Sequence, residues 1–212
     1  MYRERLTAFI NSLDPGNVSV LDDIEAEALE NRVPIIRKET QALLKFLINS
    51  FHPVNILEIG AAVGFSSILM AVEAGEDAHI TTIENYEKRI PIARENIKRA
   101  GLEDRITLLT GNAEDILPTL EPGYDMIFID AAKAQYPYYL KETERLLRKG
   151  GLMAADNCLQ DGDIIESRYA VTRRDRTIHK RMREFLTEVR HSDKFSSVIL
   201  PSGDGVTLAV KK

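Results

Sequence analysis

Leu57-Glu58-Ile59-Gly60-Ala61-Ala62-Val63-Gly64-Phe65-Ser66 opens as an apolar, β-favouring run, breaks at a glycine and resumes as an apolar helical stretch. This pattern predicts a strand over 55–59, a tight turn, and a helix over 64–73. The glycines let the backbone turn sharply and approach a ligand with no Cβ in the way. Downstream, short β-rich runs at 79–83, 106–110, 124–129 and 151–155 alternate with helical patterns, notably 87–100 and 136–148. Such alternation implies right-handed βαβ crossovers and a doubly wound, mostly parallel α/β sheet with ligands at the carboxyl ends of the strands. The alternation breaks at the end: runs at 195–200 and 206–210, joined by Pro201-Ser202-Gly203-Asp204-Gly205, read as a hairpin with one antiparallel strand. This makes seven strands in a Rossmann-like arrangement.

Upstream of the quoted stretch the patterns are helical, at 2–13, 21–30 and 38–51, with no strand signal. The expected organisation is a single domain over 1–212, with an N-terminal helical extension (1–52) on a core (53–212). With 44% hydrophobic and 29% charged residues in 212, the composition excludes a disordered or fibrous chain. One cysteine, no apolar leader and no transmembrane-length run lead to an expected cytoplasmic location with no membrane partner.

The glycine loop departs from the dinucleotide fingerprint, because Ala62 stands where its second glycine belongs. Glu58 would repel a pyrophosphate but suits a cofactor bearing an amino or sulfonium cation, such as S-adenosylmethionine. Glu84, twenty-four residues after Gly60, ends the second strand where a carboxylate can accept ribose hydroxyls. A tight turn with a solvated glutamate explains either piece alone. Taken together, in this strand context, they favour a cofactor site.

The fourth and fifth strands end in Asp130-Ala131-Ala132-Lys133 and Asp156-Asn157. Asp130, Asp156 and Asn157 form a hard oxygen donor set that favours Mg²⁺, with Mn²⁺ or Ca²⁺ as alternatives. The same residues also serve as helix caps and turns elsewhere. Lys133, three residues beyond Asp130, is a candidate general base. Cys158 has no histidine neighbour in sequence and reads as a small apolar filler.

The net charge of −5 argues against a polyanion partner until it is divided along the chain. Residues 167–183 carry Arg168, Arg173, Arg174, Arg176, Lys180, Arg181 and Arg183 against Asp175 alone, a local +6 that leaves −11 for the remainder. A helix bearing several arginines can meet RNA phosphates and stack on splayed bases, although a solvated charged face is the commoner fate of such a run.

Together, Val33-Pro34, Leu57-Glu58-Ile59-Gly60, Asp130-Ala131-Ala132-Lys133, Asp156-Asn157 and Gly203-Asp204-Gly205 resemble the cation-dependent, catechol-type O-methyltransferases across nearly the whole chain. Arg32-Val33-Pro34-Ile35-Ile36 and the basic stretch after Arg173 are more narrowly similar to the bacterial branch that methylates 5-hydroxyuridine at the tRNA wobble position. The resemblance implies a methyltransferase fold and metal ligation by Asp130, Asp156 and Asn157. It also implies cofactor contacts at Ile36, Glu58, Gly60, Ser66, Glu84, Asn112, Ala113 and Asp130, with Lys133 as the catalytic lysine. RNA contacts are expected at Arg32, Arg173, Arg174, Arg176 and Lys180. Tryptophan is absent, a departure from the aromatic gatekeepers of catechol-specific members. The alternatives are a small-molecule catechol or phenolic O-methyltransferase and a non-catalytic RNA-binding protein. The N-terminal helices offer the surface for an expected homodimer.

Overall fold

The computed structural model describes residues 2–167 and 169–212; Arg168, counted in the basic segment, lies outside the described residues. Strands β1 (Asn55–Ile59), β2 (His79–Glu84), β3 (Ile106–Thr110), β4 (Tyr124–Ile129), β5 (Leu147–Ala155), β6 (Phe195–Leu200) and β7 (Val206–Lys211) form one sheet in the order β3-β2-β1-β4-β5-β7-β6. The first five are parallel, and β7 is inserted antiparallel between β5 and β6. This is the predicted doubly wound sheet with its antiparallel C-terminal hairpin. The helices are α1 (Tyr2–Asn11), α2 (Ser19–Glu30), α3 (Lys38–Phe51), α4 (Phe65–Ala74), α5 (Ile90–Arg99), α6 (Ala113–Ile116), α7 (Tyr136–Leu146) and α8 (Arg176–His191).

The central strands are apolar at consecutive positions because both sheet faces are covered. Ile56, Met126, Phe128 and Leu152 face α2, α3 and α4 through Leu21, Ile24, Leu44 and Phe65. Their neighbours Leu57, Ile127, Ile129 and Met153 face α7 and α8 through Tyr136, Leu140, Met182 and Phe185. Helices α2 and α3 of the N-terminal segment therefore close one face of the sheet. In contrast, α1 leaves Leu6, Phe9 and Ile10 exposed, followed by Leu13 just beyond its end.

Several bounds shift by a residue or more, and the larger differences have local reasons. Strand β5 starts at Leu147 and not at 151, because Leu147 is already extended and pairs with Tyr124 before a register shift. This ends α7 at Leu146, two residues early. Helix α5 begins at Ile90, where a proline occupies the first turn and needs no amide partner. Residues 113–116 form a helical turn too short to carry a periodic signal.

The chain runs outward from β1 to β3 on one side and resumes at β4 on the other, so the switch point lies between the ends of β1 and β4. That is where a crevice opens in a doubly wound sheet. Among the described residues, no helix is long and apolar enough to cross a membrane.

Phe185 is fully buried and meets the Tyr136 ring edge-on, with centroids 5.3 Å apart. Phe185→Ala should cost about 3–5 kcal/mol, read as a lowered urea midpoint; an unchanged midpoint would mean that α8 does not anchor this face.

Candidate active site

A cleft of about 650 Å³ opens at the carboxyl ends of β1, β2, β4 and β5. Its walls include Ile36, Gly60, Glu84, Ala113, Asp130, Asp156 and Asn157. Gly60 has φ +103°, and a Cβ there would stand 2.1 Å from the Asp130 carbonyl oxygen. Only glycine lets the β1 and β4 ends approach so closely. The following loop is tied to β2: the Ala62 amide donates to Glu84 Oε2 at 2.7 Å, with Ala62 itself in the left-handed region at φ +47°. Glu84 Oε1 accepts from the Asn85 and Tyr86 amides at 2.9 and 2.7 Å. Three of its roughly four acceptor positions are thus occupied by backbone, and the carboxylate joins two loops at the cleft wall.

Asp130, Asp156 and Asn157 converge as the sequence predicts. Asn157 Nδ2 donates to Asp130 Oδ1 at 3.0 Å, and the Asn157 amide donates to Asp156 Oδ1 at 2.8 Å. Asn157 sits at φ +57°, a conformation asparagine tolerates better than most residues. Burial, then repulsion from Asp130, pushes the Asp156 carboxyl up to about 6, while Thr40 and the Asn157 amide oppose the rise. Asp130 is also raised by burial, against the pull of Asn157 and Lys133. A buried and a half-buried carboxylate beside an amide that can turn its oxygen inward suit a hard divalent cation. Among the described residues, no three His, Cys, Asp or Glu side chains gather to hold a metal, so this mixed set is the candidate.

The other expected contacts divide. Ile36, Gly60, Glu84, Ala113 and Asp130 line the cleft, whereas Glu58, Ser66, Asn112 and Lys133 lie outside its wall. Glu58 corrects the expectation of direct cofactor pairing, because it has no exposed surface. Strand alternation turns it toward α4, where Ser67 and Thr82 donate to its Oε2 and its Oε1 has no partner. Burial pushes its carboxyl up to about 7 against the nearby hydroxyls of Ser66, Ser67 and Thr82, with Asp130 adding to the rise. Ser66 is buried, and Asn112 is exposed and accepts from Asn85 Nδ2 at 3.0 Å. Lys133 Nζ lies 3.9 Å from Asp204 Oδ2. Cys158 is buried, and desolvation lifts its thiol to about 12, consistent with the filler reading.

Several participants were given no site role from the sequence, where Tyr136, Tyr138 and Tyr139 read equally as a substrate wall or as core. Thr40 Oγ1 donates to Asp156 Oδ1 at 3.3 Å across 116 residues of chain. Tyr136, fully buried, donates to the Asp156 carbonyl at 2.8 Å and fixes the end of β5 from beneath. Tyr139 lines the cleft, and Asp204 was visible only as part of a motif with no role attached.

Arg173, Arg174 and Lys180 are exposed and Arg176 is half-buried. Lys180 and Arg181 both pair with Glu184, at 3.5 and 3.1 Å, whereas Arg173 and Arg174 make no ion pair among the described residues. The Arg176 guanidinium lies 5.8 Å from the ring centroid of Tyr169, which is 83% exposed. Helix α8 packs against the short helical turn Lys133–Gln135 at the cleft. Arg32, in the turn after α2, is exposed two residues before Pro34 of the cleft wall.

The loop, the acidic strand ends and this strand order define an α/β transferase-type site. The chain belongs to the O-methyltransferase family, whose pattern it matches over residues 5–212. It is 35% identical over 161 residues to a catechol O-methyltransferase of Mycobacterium tuberculosis, covering 74% of this chain and 73% of that protein. It is 30% identical over 222 residues to caffeoyl-CoA O-methyltransferase 2 of Populus trichocarpa, covering 98% and 87%. An O-methyltransferase from Bacillus cereus, solved in complex with SAH, superposes with a TM-score of 0.85 at 28% identity, covering 98% and 97%.

The Glu58 carboxyl near 7 stands above its ordinary 4.5, so the folded chain holds this proton after the unfolded chain has released it. Stability therefore falls by about 3 kcal/mol as pH rises from 4.5 through 7. Glu58→Gln should flatten this part of the stability curve, measured by urea denaturation at pH 5 and 8; parallel wild-type and variant curves would contradict it.

Proposed function

We propose that this protein is an S-adenosylmethionine- and divalent-metal-dependent O-methyltransferase that converts 5-hydroxyuridine at the tRNA wobble position to 5-methoxyuridine. The observation that carries the RNA assignment is the exposed pair Arg173 and Arg174 just before α8, a helix packed against the Lys133–Gln135 turn at the cleft. Arg173 and Arg174 would meet phosphates, and Tyr169 with Arg176 would receive a splayed base. The donor assignment is supported by the match to the SAH-bound Bacillus cereus structure.

S-adenosylmethionine, bound against Gly60, Glu84 and Ala113, supplies an electrophilic methyl group. Asp130, Asp156 and Asn157 would hold Mg²⁺, which acidifies and orients a hydroxyl beside a second oxygen. Lys133 would take the acceptor proton. Gly60 brings the cofactor loop against Asp130 and so sets the two halves of the site side by side. Holding two reactants in register can lower the barrier by roughly 7–11 kcal/mol.

A second reading keeps this chemistry with a catechol or phenolic acceptor, and the similarity to the Mycobacterium catechol and Populus caffeoyl-CoA O-methyltransferases favours it. Incubating the protein with hypomethylated tRNA carrying 5-hydroxyuridine, labelled donor and Mg²⁺ separates the two. Label in tRNA that disappears with a chelator is the expected result. The double charge reversal Arg173→Glu, Arg174→Glu should raise KM for tRNA about tenfold or more and leave a catechol acceptor unaffected. Transfer to catechol alone would sink the tRNA assignment.

A homodimer is also proposed. Leu6, Phe9, Ile10 and Leu13 recur at helical spacing and are 44–65% exposed, an apolar stripe suited to a second copy of α1. Light scattering should return twice the 23.9 kDa chain mass, and Phe9→Glu with Leu13→Glu should return a monomer. A monomeric wild type would exclude the dimer.

A further inference from the structure

Asp204 belongs to the turn between β6 and β7, far in sequence from every strand end that bears the site. It is nevertheless buried, and its carboxylate Oδ2 lies 3.9 Å from both Lys133 Nζ and Arg37 Nη2. The turn is pressed into place from two sides. A Cβ on Gly205 (φ +88°) would stand 2.2 Å from Leu159 Cγ, and the backbone carbonyls of Asp204 and Gly205 accept from the Leu159 and Cys158 amides, both at 2.8 Å. On the other side Gly203 abuts Thr40, the residue that donates to Asp156. The backbone thus locks Asp204 against the segment that follows Asn157, independently of its side chain. Its carboxylate contacts the two cations.

The half-exposed Arg37 lines the cleft, and Lys133 is about one third exposed at the turn beside it. A lysine has four rotatable bonds, and one so exposed samples many rotamers unless something holds its head. The Asp130 carboxylate attracts it as well and would draw it into the donor set. A third carboxylate, outside that set and fixed by backbone, draws it to the rim.

We propose that Asp204 is a positioning residue for methyl transfer, holding Lys133 at the cleft rim so that its amine faces the acceptor hydroxyl and stays off Asp130 and Asp156. This rests on the reading of Lys133 as the proton acceptor. Arg37, on the same carboxylate, closes the other side of the rim.

A double-mutant cycle tests it, using catechol or tRNA as acceptor, whichever the wild type methylates faster. Lys133→Met should lower kcat by about 10²–10⁴. Asp204→Asn, isosteric and without effect on the turn's backbone bonds, should lower kcat about tenfold, with KM for the methyl donor within about twofold. Asp204→Glu should recover part of the loss. The decisive readout is the double variant, which should be no slower than Lys133→Met alone, because the rate effect of Asp204 is exerted through that lysine. Asp204→Ser is measured alongside, and thermal melts confirm that each variant is folded. Multiplying effects in the double variant, or wild-type kcat in either folded Asp204 variant, would overturn the positioning role. A Lys133→Met enzyme with wild-type kcat would instead remove the proton-acceptor reading, and the proposal with it.

Discussion

The contact between Gly60 and the backbone of Asp130 is the constraint on which the site depends. The two residues follow β1 and β4, adjacent parallel strands from opposite halves of the doubly wound sheet. With no side chain at Gly60, the loop after β1 comes within 2.1 Å, measured from its missing Cβ, of the Asp130 carbonyl. A wall for a methyl donor and a donor set for a metal thereby become one cleft. Any side chain there would force the strand ends apart, and positive φ adds a second penalty for other residues.

Around that contact the site gathers three carboxylates, Asp130, Asp156 and Asp204, beside two partly exposed cations, Lys133 and Arg37. Burial raises the proton affinity of both Asp130 and Asp156, and Asp130 and Asp204 add to the rise at Asp156. Lys133 and Arg37 stand on the outer side of Asp204, at the rim. Such an arrangement leaves the donor set electrostatically suited to a divalent cation and keeps monovalent cations where a substrate oxygen would enter. Glu58 carries its charge differently. Sealed beneath the loop, it is held near neutrality by burial and ties α4 to β2 through hydroxyls.

Sequence legibility followed the range of the interaction. Strands 55–59 and 124–129 match their observed bounds because strands buried on both faces show as apolar runs, and 106–110 and 195–200 match as β-favouring runs although partly exposed. Asp130, Asp156 and Asn157 were legible because strand ends in this topology share one edge. Glu58 was misread, since its distance from the glycine was informative but its side of the strand was not. Thr40 and Asp204 were opaque. Their partners lie 116 and 71 residues away, and no local pattern encodes such a pairing.

By itself the sequence determined the layered α/β architecture, the antiparallel ending, the acidic strand ends and the compact basic segment, because periodicity, turn chemistry and charge are local properties of the chain. Tertiary structure alone decided which of those groups face the cleft. It turned Glu58 inward, brought Thr40 onto Asp156, set Asp204 between Lys133 and Arg37, and laid the cationic helix α8 against the cleft's edge. The reason is physical: the direction of a side chain follows from which faces must be buried together, and that is settled only when distant segments pack.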